Sequence, residues 1–133
     1  MITRTTYGGQ PFAAAAARAV LAVMAENDVA SLAETKGAQL SARLSELSAV
    51  RAVRGLGLLL AVEIDVDRTG VPAATIASLL LERSLVVNAV TPTALRLAPS
   101  LLISDDEIDH AVTVLSATLD ELVDANDATP EPT

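Results

Sequence analysis

Aromatic side chains are almost absent from this sequence of 133 residues, which has one tyrosine, one phenylalanine and no tryptophan. Hydrophobic residues nevertheless make up 51% of the chain. The core must therefore be built from Leu, Val, Ile and Ala, which pack well where helices lie on a sheet. A chain of this length can form one domain with a hydrophobic core and leaves little room for a second. It offers no aromatic platform on which bases or sugars could stack.

The charge and the absence of cysteine exclude several kinds of partner and site. The sequence has 17 acidic and 9 basic residues and a net charge of -8, whereas binding to a phosphate backbone requires clustered Lys and Arg. Without cysteine there is no disulfide, thiolate metal site or cysteine nucleophile. His110 is the only histidine, which argues against a metal site. We therefore expect no nucleic-acid partner and no bound metal.

The apolar stretches are too short to cross a membrane. Residues 56–64 and 79–81 are examples, whereas a membrane helix needs about 20 apolar residues. The first residues also lack the basic and then apolar pattern of a secretion signal. We expect a soluble, cytoplasmic protein without a membrane partner.

Two helices are predicted in the first third of the chain. Pro11 precedes an alanine-rich run that continues to about Asn27. Proline is tolerated in the first turn of a helix, and alanine has the highest helix propensity. From Val29 the apolar positions follow a helical period as far as about Ser48. These patterns predict one helix over 11–27 and a second helix after it.

The middle of the chain predicts short strands around a third helix. Residues 50–55 and 58–64 have the composition of two strands joined at a glycine kink, and a helical pattern covers 72–83. Residues 85–88 and 94–97 then resemble two strands. Because these last two runs are close in sequence, an antiparallel hairpin is the simplest arrangement.

The last helix has a clear start signal. Ser104 is followed three residues later by Glu107, which is the pattern of a capping box. A helix from about Asp105 would bury five apolar residues, Ile108, Val112, Leu115, Leu119 and Leu122. Residues 125–133 are polar and acidic, and we predict a disordered tail. The element order predicts an α+β fold, with helices on one face of a mainly antiparallel sheet of about three or four strands.

Thr5 and Thr6 form the first candidate site, because they precede Gly8 and Gly9 and the start of a helix. Free backbone N–H groups, flexible glycines and hydroxyl donors together suit a phosphate. No lysine follows the glycines, so this is not a nucleotide P-loop. The alternative is an ordinary loop before a capped helix.

Arg96 is the second candidate, because it lies within an apolar strand that ends at a proline. A guanidinium in such a place suits a bidentate anion such as a substrate carboxylate. The alternative is an edge-strand arginine that points to water or pairs with an acidic side chain. Arg54 belongs to a glycine-containing kink, and Glu63 fits a solvated residue or a local ion pair. Asn88 fits either a turn former or a site residue.

Four motifs, taken in order, resemble those of the class III, pyridoxal-phosphate-dependent aminotransferases. They are TTYGGQP at 5–11, VRGLGLL at 53–59, LVVNAV at 85–90 and LRLAP at 95–99. The resemblance covers residues 3 to about 123 and is greatest to members that use N-acetylornithine. It departs from the family pattern at Thr3 and Arg4, which replace a His-Gly pair, and at Gln10 and Ser100.

The resemblance implies the small C-terminal domain of a fold-type I pyridoxal-phosphate transferase. Residues 1–10 would be the cofactor-phosphate loop and residues 11–27 a long interdomain helix. Residues 28–124 would be the small domain, and residues 125–133 the tail. The subunit would work with a second copy or with a large domain that is not in this chain.

The resemblance also implies roles for the candidate residues. Thr6 first and Thr5 second would donate to the phosphate of pyridoxal 5'-phosphate held by a neighbouring subunit, and Arg96 would bind the amino acid's α-carboxylate. The implied reaction moves an amino group from an N-acetylornithine-like donor to 2-oxoglutarate, as in arginine biosynthesis. Ornithine and 4-aminobutyrate enzymes share the motifs, so the donor stays open.

The family's catalytic lysine, which forms the Schiff base, lies upstream of these motifs and is absent from this chain. Lys36 is the only lysine, and it falls on a helix that carries no site in the family. No catalytic residue is therefore assigned, and we expect the chain alone to be inactive. With Met1 just ahead of the first motif, the chain has the form of a gene fragment, a split-gene product or a truncated reading frame. The alternative function is a non-enzymatic α+β module that binds an amino acid or dimerises.

Overall fold

Pairs of helices alternate with pairs of strands along the chain in the computed structural model, and a single helix ends it. The model describes residues 9–128. The described elements are α1 (Pro11–Glu26), α2 (Val29–Ser45), β1 (Val50–Leu56), β2 (Leu59–Ile64), α3 (Val66–Thr69), α4 (Ala73–Glu82), β3 (Asn88–Ala89), β4 (Ala94–Leu97) and α5 (Asp105–Asp127). The α+β fold expected from the sequence is confirmed.

The strands form one antiparallel sheet in the order β1-β2-β4-β3. β2 and β4 are therefore the central strands, although 29 residues separate the end of one from the start of the other in sequence. Side chains alternate between the two faces of a strand. On one face Leu60, Val62, Ile64 and Leu95 are buried beneath the helices. The opposite face stays open among the described residues.

The core lies between that covered face and the helices α2, α4 and α5. It is built only from aliphatic side chains, as the lack of aromatics requires. The largest fully buried side chains from the helices are Leu44, Ile76, Leu80, Ile108, Leu115 and Leu119. Each such side chain contributes roughly 1.5–3 kcal/mol when it is fully removed from water, so this layer supplies the main stabilisation of the fold.

α5 begins where its sequence predicts and ends later than predicted. Ser104 accepts from the backbone N–H of Glu107, and the Glu107 carboxylate accepts from the Ser104 backbone N–H, which completes a capping box. The helix then continues to Asp127, so residues 125–127, predicted to be disordered, are helical. The Asn126 side chain donates to the carbonyls of Asp67 and Arg68, which ties this end of the helix to α3. Residues 129–133 lie outside the described residues.

The predicted strand over residues 85–88 is much shorter than expected. Only Asn88 of that run pairs with β4, together with Ala89. Ser84 has a positive φ of 64°, and the N–H of Leu85 donates to the carbonyl of Leu80 at the end of α4. The backbone is therefore still closing the helix where the sequence predicts a strand.

α2 packs on the β1–β2 turn through a glycine contact. Gly37, in the middle of α2, is buried, and a Cβ built on it would lie 2.1 Å from the carbonyl oxygen of Gly57. Gly57 itself has a φ of +54° in the turn, a conformation that favours glycine. The two glycines fix the helix close against the sheet.

α1 has no buried residue. Its exposed apolar side chains include Phe12, which is 87% exposed, and Leu21, which is 62% exposed. Alanine propensity explains why the segment is helical, and among the described residues only its C-terminal end has neighbours, where Met24 is half-buried. None of the helices in the described part of the chain combines the length and apolar character needed to span a membrane.

Candidate substrate-carboxylate site

Four residues form a row across the open face of the sheet. Arg54 of β1 pairs with Ala61 of β2, Ala61 pairs with Arg96 of β4, and Arg96 pairs with Asn88 of β3. Cross-strand partners project their side chains to the same face. Arg96 and Asn88 are therefore side by side, and Arg54 lies two strands away beyond a small alanine.

Arg96 is held at the centre of the sheet with its guanidinium free. Leu95 before it is fully buried and Leu97 after it is half-buried, so alternation directs Arg96 to the open face. Arg96 is exposed, and its side chain makes no hydrogen bond or ion pair with any residue that the structure describes. Of the alternative for Arg96, the edge-strand position is wrong, because β4 lies between β2 and β3, but the side chain does point to water.

Asn88 lies in β3 and not in a turn. It directly opposes Arg96, so the two side chains project from neighbouring strands to the same face. The sequence left its role open because the position depends on how β3 and β4 align. A count along the predicted hairpin would have suggested the pairing only if its loop length had been known.

Glu63 forms the centre of a second polar group on the same face. Its Oε2 accepts from Arg54 Nη2 at 2.9 Å, and its Oε1 accepts from Thr93 Oγ1 at 2.5 Å. The hydrogen bond from Thr93 lowers the pKa of Glu63, the bond and charge of Arg54 lower it further, and desolvation opposes them. Of the two interpretations of Glu63, the local ion pair is the one found. The role of Arg54 in it was missed.

Lys36 does not approach the open face. It belongs to α2, in the layer on the covered side of the sheet, and its Nζ lies 2.8 Å from Asp105 Oδ1 at the start of α5. Its side chain is only 17% exposed. The amine is therefore engaged in a structural ion pair.

A cavity of about 520 Å³ lies on the covered side, between α2, α5 and the segment after α4. Its walls are mainly apolar, with Leu40, Leu44 and Leu97 among them. His110 and Asp106 contribute to its rim, and both are exposed. No three His, Cys, Asp or Glu side chains gather around a point in the described part of the chain. The cavity has no free arginine and is a separate feature from the row on the open face.

The cofactor-phosphate candidates Thr5 and Thr6 lie outside the described residues. The structure does describe the end of their loop, where Gln10 is the residue before α1 and Pro11 is the first helical residue. Gln10 makes no side-chain cap, so the helix start has free N–H groups. A role for the two threonines stays a prediction.

Solved structures of aminotransferases share this fold. The ornithine aminotransferase from Toxoplasma gondii superposes with a TM-score of 0.80 at 28% identity, covering 94% of this chain and 30% of that one. The acetylornithine aminotransferase from Elizabethkingia anophelis gives a TM-score of 0.76 at 28% identity, covering 91% of this chain and 33% of that one. The fold is that of part of an aminotransferase.

The sequence comparisons specify which aminotransferases. The family model for class III aminotransferases matches residues 3–119. The acetylornithine aminotransferase of Corynebacterium efficiens is 42% identical over 120 residues, which is 89% of this chain and 28% of that protein. The ornithine aminotransferase of Bordetella pertussis is 37% identical over 86% of this chain and 28% of its own length. The chain belongs to the class III aminotransferase family, and it spans less than a third of the length of these relatives.

The described residues do not fit the covalent attachment of pyridoxal phosphate, the cofactor of this family. Attachment requires a lysine amine, and the only one is engaged with Asp105 on the covered side. The described residues therefore leave the covalent attachment without a free lysine, while Arg96 is an exposed cation on the open face.

Proposed function

We propose that this chain is the C-terminal, substrate-binding part of an aminotransferase that moves an amino group from N-acetylornithine, or a related ω-amino donor, to 2-oxoglutarate. That reaction belongs to arginine biosynthesis, and we place it in the cytoplasm. The observation that carries the proposal is Arg96, an exposed arginine on the open sheet face without a partner among the described residues. Relatives that act on acetylornithine and on ornithine support the substrate class.

Arg96 would bind the carboxylate that the two substrates have in common. In 2-oxoglutarate the α-carboxylate is attached to the reacting carbon, whereas in an ω-amino donor such as N-acetylornithine it lies at the far end of the chain from the reacting amine. A planar guanidinium can hold a carboxylate by two parallel hydrogen bonds, which fixes its orientation as well as its position. One arginine can therefore align 2-oxoglutarate directly at its reacting carbon, and it would hold an ω-amino donor by the end remote from the transferred amine.

Asn88 would limit where that carboxylate can lie. Its amide lies on the neighbouring strand, directly opposite Arg96, and can donate to an oxygen that the guanidinium leaves free. Two donors from paired strands hold an anion more rigidly than a single flexible side chain does. Pyridoxal phosphate, when bound, supplies the electron sink for the reaction.

Thr6 and Thr5 would donate hydroxyl hydrogen bonds to the phosphate of that cofactor, held by a second subunit. Support for this role comes from their sequence context, two hydroxyls and two glycines before the first turn of α1. The base that moves the proton during transamination would come from a lysine outside this chain, because Lys36 is held in an ion pair. The chain alone is then inactive.

Complementation tests the proposal. The chain is produced together with the lysine-bearing part of a class III aminotransferase, and glutamate formation is measured with N-acetylornithine and with ornithine. Arg96→Gln should lower kcat/KM by about tenfold to a hundredfold, as expected when a hydrogen bond to a charged group is lost. The matched control is Arg83→Gln, which breaks only the ion pair with Glu121 on α5. Equal activity of the Arg96→Gln and control proteins would refute the role of Arg96.

A second candidate function is an amino-acid-binding module without catalysis. The observation that favours it is the combination of a free Arg96 with a lysine that is engaged elsewhere. Such a module should bind acetylornithine, ornithine or glutamate without any partner chain. Calorimetry on the chain alone separates the two functions, because the aminotransferase part should show tight binding only after complementation.

A further inference from the structure

Glu63 has two arginine neighbours on the open face of the sheet. Ala61 pairs with Arg54 on one side and with Arg96 on the other. Glu63 lies two residues further along β2, so it projects to the same face. It is therefore the diagonal neighbour of both arginines. Diagonal pairs in a sheet are within reach of long side chains.

The observed ion pair involves only one of these neighbours. Arg54 reaches Glu63 across the diagonal, with 2.9 Å between Nη2 and Oε2. This contact shows that an arginine at this offset can reach the carboxylate. Arg96 has the corresponding offset on the other side of β2, and it makes no ion pair with any described residue.

Both oxygens of Glu63 are occupied. Oε2 accepts from Arg54, and Oε1 accepts from the Thr93 hydroxyl at 2.5 Å. Thr93 is itself fixed, because its carbonyl accepts from the N–H of Ile64 at 2.7 Å. The carboxylate is thus held by Arg54 from the β1 side and by Thr93 from the β4 side, and Thr93, which directly precedes β4, takes the oxygen on the side of the strand that carries Arg96.

We propose that Arg54 is a positioning residue that holds Glu63 away from Arg96 and so keeps Arg96 free for a substrate carboxylate. This inference rests on the proposed function of Arg96. It gives Arg54 a role that its place in a glycine-rich strand did not indicate. Arg54 touches no substrate in this scheme and acts only through Glu63.

Loss of Arg54 would affect Arg96 in two ways. Glu63 would have a free oxygen beside an unpaired guanidinium, and a charge-assisted hydrogen bond between them would compete with the substrate. The negative charge of Glu63, no longer balanced by Arg54, would also repel a second carboxylate. Both effects weaken carboxylate binding, and both require Glu63. Removal of the Glu63 charge should therefore restore binding.

Side-chain NMR on the full 133-residue chain tests the inference. The variants are Arg54→Gln, Glu63→Gln and the double variant, with Arg83→Gln as a matched control on another surface. Without ligand, the Arg96 Nε–Hε signal should shift in Arg54→Gln and return to the wild-type position in the double variant. With 2-oxoglutarate as probe at constant ionic strength, Arg54→Gln should bind about two- to fivefold more weakly, the scale of an exposed ion pair.

Restoration by Glu63→Gln separates positioning from a merely structural role, because a structural defect caused by Arg54→Gln would remain in the double variant. An unchanged Arg96 signal in Arg54→Gln, or a double variant that stays weak, overturns the inference. If the wild-type signal does not respond to 2-oxoglutarate, the titration is repeated in the complemented enzyme, where the absence of a response refutes the proposed role of Arg96 instead. The ligand-free Arg96 signal still decides whether Arg54 controls Glu63.

Discussion

Lys36 Nζ and Asp105 Oδ1 lie 2.8 Å apart, and this ion pair joins α2 to the first turn of α5. Asp105 is one of three acidic residues in that turn, where negative charge is favoured by the helix dipole. The pair thus gives the only lysine of the sequence a structural role at a site remote from Arg96.

The position of Lys36 predicts that it takes no part in transamination. The chain incubated with pyridoxal phosphate, N-acetylornithine and 2-oxoglutarate should form no glutamate. In the complemented enzyme, Lys36→Arg should keep the wild-type rate, because arginine preserves the ion pair but cannot replace a catalytic amine. Steady glutamate release by the chain alone, or its loss on this substitution after complementation, would contradict the prediction.

The pairing of Asn88 with Arg96 predicts KM increases of different size for two substitutions. Asn88→Asp places a carboxylate directly opposite the guanidinium, and the resulting pair should compete with substrate and raise KM by about tenfold. Asn88→Ala removes only an exposed amide, so KM should rise by a few-fold at most. Both are measured in the complemented enzyme. Equal KM values for the two variants would show that Asn88 does not face the carboxylate.

We expect the replacement of Gly37 by alanine to lower the free energy of unfolding. A Cβ at this position would lie 2.1 Å from the Gly57 carbonyl oxygen, so α2 must move away from the sheet. Overpacking of this kind costs about 1–3 kcal/mol, more than the gain of about 1 kcal/mol in helix propensity. Urea unfolding measures the difference. The control Gln39→Ala, on the exposed side of α2, should change stability by under about 0.5 kcal/mol.

We expect Glu107 to contribute to the loss of folding stability at acid pH. The Ser104 backbone N–H lowers its pKa most, the Ser104 hydroxyl and the charge of Lys36 add to this, and desolvation opposes them. Because the folded pKa is depressed, the unfolded chain binds more protons, and stability rises with pH. This contribution is complete above the ordinary glutamate pKa of about 4.3. It is lost as pH falls through the folded pKa.

The test is urea unfolding between about pH 6 and pH 3, a range that spans the ordinary carboxyl values. Glu107→Gln should flatten the pH dependence, because it removes one carboxyl whose pKa is depressed. Glu63, Asp65 and Glu121 also have lowered pKa values, so some dependence should remain. Glu34→Gln, on the exposed side of α2, is the control. A Glu107→Gln profile parallel to that of wild type would show that the capping carboxylate does not contribute.

Features set by neighbouring residues were predictable from the sequence. The capping box depends on Ser104 and Glu107, three residues apart, and it forms as expected. The start of α1 follows from Pro11 and the alanine run. The end of α5 was not predictable, because it depends on hydrogen bonds from Asn126 to carbonyls about 60 residues away in sequence.

The arrangement around Arg96 was beyond local patterns for a related reason. The pairing of Arg96 with Ala61 depends on β2 and β4, which are separated in sequence by α3, α4 and β3. The contact of Arg54 with Glu63 further requires the alignment of β1 on β2 that places Arg54 opposite Ala61. A shift of one residue would send these side chains to the other face. The individual residues were visible in the sequence, but their common row was not.

The stability of α1 depends on whether another molecule binds it. A helix of 16 residues is only marginally stable in water, even when it is rich in alanine, and this one gains little from burial within the described chain, since only Met24 near its end is half-buried. Any molecule that covers its apolar side chains stabilises the helix through mass action. Amide exchange along α1 would then depend on the concentration of that molecule, whereas exchange in α5 would depend on the aliphatic core. Amide exchange in α5 would thus measure the stability of the fold, and amide exchange in α1 would measure binding to another molecule.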